Sequence, residues 1–155
     1  MQKITPFLWF DKEAAEAAKF YTSVFKGSKI KDSRKLSNTP SGTVEIITMD
    51  LLGQEFTLMS AGPLFKFNES ISFVVNCENQ EEIDYYWKML SAIPEAEQCG
   101  WLKDKFGLSW QIVPVEMEEM MRNGTEQQIA RVTEAFLKMK KFDVKKLRDA
   151  YEGKA

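Results

Sequence analysis

The chain contains no histidine. That absence removes the side chain that titrates nearest neutral pH and the commonest ligand of transition metals. Ser-His-Asp and Cys-His catalysis are excluded, as are H-E-x-x-H zinc chemistry and the zinc deaminase signature. Cysteine is scarce: Cys77 and Cys99 are too few for a disulfide scaffold, and two free thiols are expected. No apolar run approaches the ~20 residues that cross a bilayer. Residues Met1–Pro6 lead straight into a strand-like pattern without the apolar stretch of a signal peptide, so a cytoplasmic location is the expectation. There is no excess of charge of either sign. Lys plus Arg is 21, Asp plus Glu is 23, and the formal net charge of −2 is not that of a dedicated nucleic-acid binder. Neither a nucleic acid nor a membrane is expected as a partner. Oxygen-ligand metals such as magnesium remain open.

What is present is the balance of an ordinary folded domain. The 155 residues are 44% hydrophobic and 28% charged, enough to bury a core in one compact domain spanning 1–155.

The chain repeats itself loosely at an offset of about 65 residues. Phe7-Leu8-Trp9-Phe10 precedes a helix-like stretch holding Phe20-Tyr21 and Val24-Phe25. Ser72-Phe73-Val74-Val75 precedes another holding Tyr85-Tyr86 and Met89-Leu90. Both stretches have the three-to-four residue spacing of a helix with one buried face. Asn79 and Glu82 stand at capping-box spacing. Gly53-Gln54-Glu55-Phe56-Thr57-Leu58-Met59 is echoed by Gly107-Leu108-Ser109-Trp110-Gln111-Ile112-Val113, in each case a glycine turn and then an alternating strand. Strands are expected at 30–36, 43–50 and 54–60, whereas the second half is poorly marked over 92–102. Chance alternation is the plainer alternative to duplication.

The remainder is helical in pattern. Residues 115–123 form a short Met-rich stretch. Thr125 and Gln128 stand at capping-box spacing before an apolar stripe of Ile129, Val132, Phe136 and Leu137, with Met139 beside it. Asp143 is placed to cap a last helix carrying Val144, Leu147 and Tyr151. The run Lys138, Lys140, Lys141, Lys145 and Lys146 reads as a solvated face, with contact to an anionic partner as the alternative. Lys103-Asp104-Lys105 reads as a solvated turn, and Trp101 and Trp110 as packing residues.

Several segments carry a resemblance: Ile4-Thr5-Pro6-Phe7-Leu8-Trp9-Phe10, the Phe20-Tyr21-x-x-Val24-Phe25 helix end, Gly53-Gln54-Glu55-Phe56, Phe65-Lys66-Phe67, Ser70 through Cys77 and, most specifically, Cys99 through Pro114. Together they resemble the PhnB-like branch of the vicinal oxygen chelate superfamily, which includes glyoxalase I, extradiol dioxygenases and the bleomycin-resistance proteins. Members of this branch often bear the label 3-demethylubiquinone-9 3-methyltransferase. The resemblance implies an α+β fold of paired βαβββ modules, 3–62 and 68–114, with a C-terminal helical extension, 115–155. It also implies curved sheets enclosing a cleft, and a homodimer.

In the metal-dependent relatives four ligands, commonly two His and two Glu, line that cleft. Carried onto this chain, the first-strand ligands fall near Thr5 and Ser70, and the last-strand ligands near Thr57 or Met59 and at Gln111. Hydroxyls, an amide and a thioether offer no fixed charge to offset dehydration of a hard divalent cation. No metal is therefore expected, and Glu45, Glu55 and Glu69 are the carboxylates that would supply one in a different register. Methyl transfer would call for a Gly-rich strand-to-helix turn and an acidic ribose partner, and neither is found. No cofactor is expected.

Strand alternation puts Thr5, Phe7 and Trp9 on one face and Ile4, Leu8 and Phe10 on the other, with Ser70, Ser72, Val74 and Asn76 likewise opposing Ile71, Phe73, Val75 and Cys77. By the family comparison, the faces of Thr5 and Ser70 line the cleft. The reading is metal-independent binding of a small, partly apolar organic molecule by Thr5, Phe7, Trp9, Thr57, Met59, Ser70, Ser72 and Gln111. No catalytic residue is assigned. Two alternatives stay open: an enzyme acting on a small substrate through a non-standard group, and a structural dimer whose cleft is filled by Phe7, Trp9 and Met59. Cys77 is expected to be buried and inert; Cys99 would need a lysine such as Lys103 or Lys105 to become a nucleophile.

Overall fold

The computed structural model describes residues 2–154, which form two compact units divided between Lys66 and Phe67. In the first unit, strand β1 (Phe7–Phe10) leads into helix α1 (Ala14–Val24), then β2 (Lys29–Thr39), β3 (Gly42–Leu51) and β4 (Gln54–Ser60). The sheet order is β1-β4-β3-β2, with β1 parallel to β4 and the other pairs antiparallel. β1 and β4 are therefore neighbours although α1 and two strands separate them in sequence. The expected strands are all present, and the β2–β3 hairpin is longer than its hydrophobic pattern indicated.

Alternation divides this sheet cleanly. Leu8, Phe10, Ile47, Met49, Phe56 and Leu58 are buried and share one face by register. α1 lies on that face with Ala14, Ala17, Ala18, Tyr21 and Val24 buried. Three small alanines allow helix and sheet to approach closely. The Oγ of Ser60, on β4, accepts from the Ala14 N–H at 2.9 Å. A strand hydroxyl thus satisfies an open amide of the helix start that Glu13, at the cap position, leaves unbonded. β2 is a sheet edge exposed along almost its whole length. Its lysines, charged neighbours and two register shifts are the usual protections of an open edge.

The second unit repeats the order with one strand fewer. β5 (Ser72–Cys77) is followed by α2 (Gln80–Leu90), a single 3-10 turn (Pro94–Ala96), β6 (Trp101–Lys103) and β7 (Ser109–Pro114). The sheet order is β5-β7-β6, with β5 parallel to β7. The stretch 92–102 that lacked a pattern holds the 3-10 turn and part of a three-residue strand. Asn79 caps α2 by accepting from the Glu82 N–H, but the Glu82 carboxylate returns to the N–H of Glu78 at 2.7 Å, not to Asn79. The capping box is therefore displaced by one residue.

Helices α3 (Val115–Asn123), α4 (Glu126–Leu137) and α5 (Val144–Tyr151) complete this unit. Thr125 and Gln128 form the full reciprocal box, and Asp143 caps α5 through the Lys146 N–H. Val113, Met117, Met120, Val132, Phe142 and Leu147 close one core cluster, with Phe136, Met139 and Tyr151 against it. Leu137 does not belong to the stripe: it is exposed at the last turn of α4. It lies five residues beyond Val132, about 140° around the helix from that buried position.

Candidate functional site

In the first unit the face opposite α1 carries the predicted residues. Phe7 stands in register with Thr57 and Trp9 with Met59. Thr5 lies just before β1, where the Pro6 carbonyl accepts from the Thr57 N–H at 2.9 Å. Trp9 and Met59 pack against the buried cluster of Val44, Ile46 and Ala61. The Trp9 indole donates to the Gly62 carbonyl at 2.8 Å and meets the edge of Phe65, ring centroids 5.0 Å apart. The indole polar atom is thus satisfied locally, and its ring presents aromatic surface. Phe7 is 55% exposed in the single chain.

In the second unit the corresponding face joins Ser72 and Gln111. Gln111 Nε2 donates to Ser72 Oγ at 2.9 Å across the parallel strands. Ser70 departs from the expected strand, and so do Ile71, 64% exposed, and Ile4, 85% exposed: both precede their strands, which begin at Ser72 and Phe7, so alternation does not bury them. Ser70 sits in a turn ahead of β5, and both its N–H and its hydroxyl bond Asn68 Oδ1, at 2.9 and 2.6 Å. The Asx-type turn supplies partners that a sheet position would not. Ser109 lies on the same face as Gln111, two residues before it; its hydroxyl is buried and has no hydrogen-bond partner. Alternation alone marks Ser109 as a face residue, but nothing in the sequence shows that its hydroxyl is left unbonded.

The Lys103-Asp104-Lys105 turn differs from the solvated turn expected. Asp104 is fully buried. Its Oδ1 accepts from the N–H groups of Phe106 and Leu108 at 2.8 and 3.1 Å, and its Oδ2 from Trp110 Nε1 at 2.8 Å. The carboxylate organises the β6–β7 turn. The Asp-x-x-Gly spacing ending at Gly107, whose φ is +85°, is the signal that marks such a turn.

The candidate metal stations do not fit a metal. Thr5, Thr57, Met59, Ser70 and Gln111 contain no anionic donor, and Gln111 and Ser70 already bond neighbouring side chains. Nor do the carboxylates gather: Glu55 pairs with Lys31 at 2.7 Å, Glu69 pairs with Lys103, and Glu45 lies on the α1 side of the sheet in register with Ser60. Among the described residues, no group of three or more His, Cys, Asp or Glu could hold a metal ion. A methyl-donor nucleotide fits no better, since neither strand-to-helix connection, 11–13 nor 78–79, contains glycine.

The thiols are separate from both faces. Cys77 is fully buried on the α2 side of its sheet. Burial, then the nearby Glu82 and Glu78, pushes its thiol up to about 12. The folded state therefore holds this proton more tightly than the unfolded state, and stability falls as pH rises from about 9 toward 12. Replacing Cys77 with Ala should lessen the stability loss between pH 9 and 10 by about 1 kcal/mol. Urea titrations of both proteins at the two pH values would test it, and parallel pH profiles would overturn the assignment. Cys99 has a positive φ of +49° and is partly buried beside the Leu137 carbonyl. Lys103, one lysine considered for activating it, is engaged by Glu69.

The lysines of the tail border a recess of about 760 Å³ between the start of α2 and residues 138–148. Its charges are largely matched: Lys141 pairs with Asp84 at 2.6 Å, and Arg148 grips Glu116 through two bonds of 2.7 and 2.8 Å. The Lys141 bond, followed by that of Gln80, holds Asp84 below its ordinary pKa, and the Arg148 bond does the same for Glu116. This is the solvated, ion-paired face that the sequence suggests. No helix among the described residues is long and apolar enough to cross a membrane.

Residues 2–113 match the family model described as 3-demethylubiquinone-9 3-methyltransferase. A solved PhnB protein from Bacillus cereus, named for the same methyltransferase, is 34% identical, with 74% of this chain and 100% of that chain covered and a TM-score of 0.61. A Pseudomonas aeruginosa protein is 17% identical over 74% of this chain and 98% of that chain, with a TM-score of 0.54. A genomically encoded fosfomycin resistance protein from Listeria monocytogenes is 13% identical over 77% and 96%, with a TM-score of 0.56. The last two speak to the fold alone. Comparison with curated proteins returns no match.

Proposed function

The chain belongs to the 3-demethylubiquinone-9 3-methyltransferase family, within the PhnB-like branch of the vicinal oxygen chelate superfamily, and from that premise we propose that it binds a small, partly apolar organic molecule without a metal. The observation that supports this reading is the neutral character of the candidate face in each unit: Phe7 beside Thr57 and Trp9 beside Met59 in the first, Ser72 bonded to Gln111 in the second. Trp9, Met59 and the exposed Phe7 offer apolar area. Ser72 and Gln111 are linked polar groups, and Gln111 Oε1 is an acceptor that can orient a ligand. Thr5, Thr57 and Ser70 are the remaining candidates, Ser70 only if it leaves Asn68. The modules 3–62 and 68–114 serve this one function in a homodimer, with 115–155 as an extension of the second module. Methyl transfer is not part of the proposal: the family's name describes a reaction for which these residues provide no nucleotide-binding turn.

Native mass spectrometry of protein prepared without added metal or nickel tests the reading. A dimer carrying a reproducible organic adduct and no metal is expected. A stoichiometric metal adduct would overturn metal independence, and a monomer would overturn the assembly. Gln111→Ala should weaken retention of that adduct by about tenfold, the order expected for loss of one orienting hydrogen bond. Unchanged retention in a folded variant would remove Gln111 from the site.

A further inference from the structure

Ser72, Ser109 and Lys103 form one row across the second unit's sheet, one residue from each of β5, β7 and β6, in direct register. All three therefore belong to the face that carries Gln111. Ser72 accepts the Gln111 amide through its oxygen, and its hydroxyl proton stays available to donate. Ser109 is 1% exposed with an unpartnered hydroxyl. Buried hydroxyls ordinarily find a partner, so Ser109 gives this row a donor that no protein group uses. Lys103 brings a positive charge to its β6 end and is held by Glu69, which precedes β5 and whose side chain is 64% exposed. Two hydroxyls and an ammonium are a donor set for an anionic oxygen.

We propose that the Ser72–Ser109–Lys103 row anchors the carboxylate of a small organic acid, and that this carboxylate displaces Glu69 from Lys103. The inference rests on the small-molecule reading above and gives its ligand a charge. Glu69 already presents a carboxylate to Lys103, so binding exchanges one anion for another on the same ammonium. The displacing carboxylate then lies on Lys103, the register neighbour of Ser109. Glu69 is the exposed partner of the pair, its side chain 64% exposed against 22% for Lys103, so its carboxylate can return to water while Lys103 stays in place. The adjoining row, Val74, Gln111 and Trp101, lies where the apolar body of the acid would rest. Val74 is 50% exposed there, and Gln111 orients the polar substituents.

The probes are benzoate and its neutral isostere benzamide, titrated into the full-length 15N-labelled protein and followed by the amide signals of Ser72, Ser109, Gln111 and Lys103. Benzoate should bind about fivefold more tightly than benzamide, with the largest shifts at these residues. Lys103→Met, which keeps the aliphatic stem, should erase the preference. Glu69→Gln, a change at an exposed position, should tighten benzoate about threefold and leave benzamide unchanged. These opposite effects are not those of a lysine that only stabilises the fold. Equal affinities for the two probes, or a preference that survives Lys103→Met, would overturn the anchor while leaving small-molecule binding intact. Absence of shifts with both probes up to about 20 mM would count against the anchor and the binding reading together.

Discussion

Replacing Asp104 with Ala should destabilise the second unit by about 3 kcal/mol, because three donors lose one buried acceptor group together. The N–H groups of Phe106 and Leu108 and the indole of Trp110 all bond this carboxylate. Trp110 is itself buried, 3% exposed, in register with Phe73 and Leu102. Its Nε1–H cannot turn to water without leaving the core. The two amides belong to the turn that aligns β6 with β7, so the loss reaches the register of the sheet. Asp104→Asn should cost less, about 1–2 kcal/mol, since one oxygen remains to accept and the other becomes an NH2 that cannot. Urea denaturation followed by tryptophan fluorescence would measure both. An alanine variant within about 0.5 kcal/mol of the parent would show that the carboxylate does not organise the turn.

The second large effect is expected at Gly100, where alanine should cost about 3 kcal/mol by combining backbone strain with overpacking. Its φ of +81° is a conformation that glycine adopts without penalty. A Cβ there would stand 2.5 Å from Phe142 Cε2 and 3.1 Å from the Ile112 carbonyl. Phe142 is 2% exposed within the helical core cluster and has little room to yield. Backbone movement is restrained as well: the Gly100 N–H donates to the Lys140 carbonyl and the Gly100 carbonyl accepts from the Ile112 N–H, each at 2.8 Å. Gly107→Ala is the control. Its φ is +85°, but nothing lies within 4 Å of the added carbon, so strain alone should cost about 1 kcal/mol. Thermal unfolding should separate the two variants, and Phe142→Leu should recover part of the Gly100→Ala loss. Equal losses at Gly100 and Gly107 would show that the Phe142 contact is not limiting.

Much of this arrangement is legible in the sequence because a strand exposes alternate residues to opposite faces. That geometry separates buried Leu8 and Phe10 from Phe7 and Trp9, and it brings Trp9 beside Met59 once the parallel pairing is known. Capping residues are equally local: Thr125 and Gln128 specify the start of α4 within four positions. β6 escapes such reading, since Trp101–Lys103 is too short to alternate and its pairing is fixed by β7 eight residues later. Asp104 escapes for another reason. A charged residue between two lysines looks solvated until the hairpin folds the indole of Trp110, six residues on, onto it. Ser70 shows the converse, where a strand-like run is claimed by the side chain of Asn68. In the candidate site, residue types and faces can be inferred locally. The unbonded state of Ser109 and the Glu69–Lys103 pair depend on which groups approach from elsewhere in the fold.

The joint between residues 99–100 and the tail also sets a schedule during synthesis. The N–H groups of Cys99 and Gly100 bond the carbonyls of Met139 and Lys140, and Phe142 lies against Gly100. Every strand of the first sheet has been made by Ser60. The second unit must wait for Phe142, roughly 4–16 s longer at ordinary elongation rates. In the last part of that interval, from Pro114 to Phe142, β5, β6 and β7 exist without the helices that complete their core. A nascent chain stalled between Pro114 and Phe142 would therefore pair a formed first sheet with an unfinished second one. Such a chain is the stage at which this protein has most need of a chaperone.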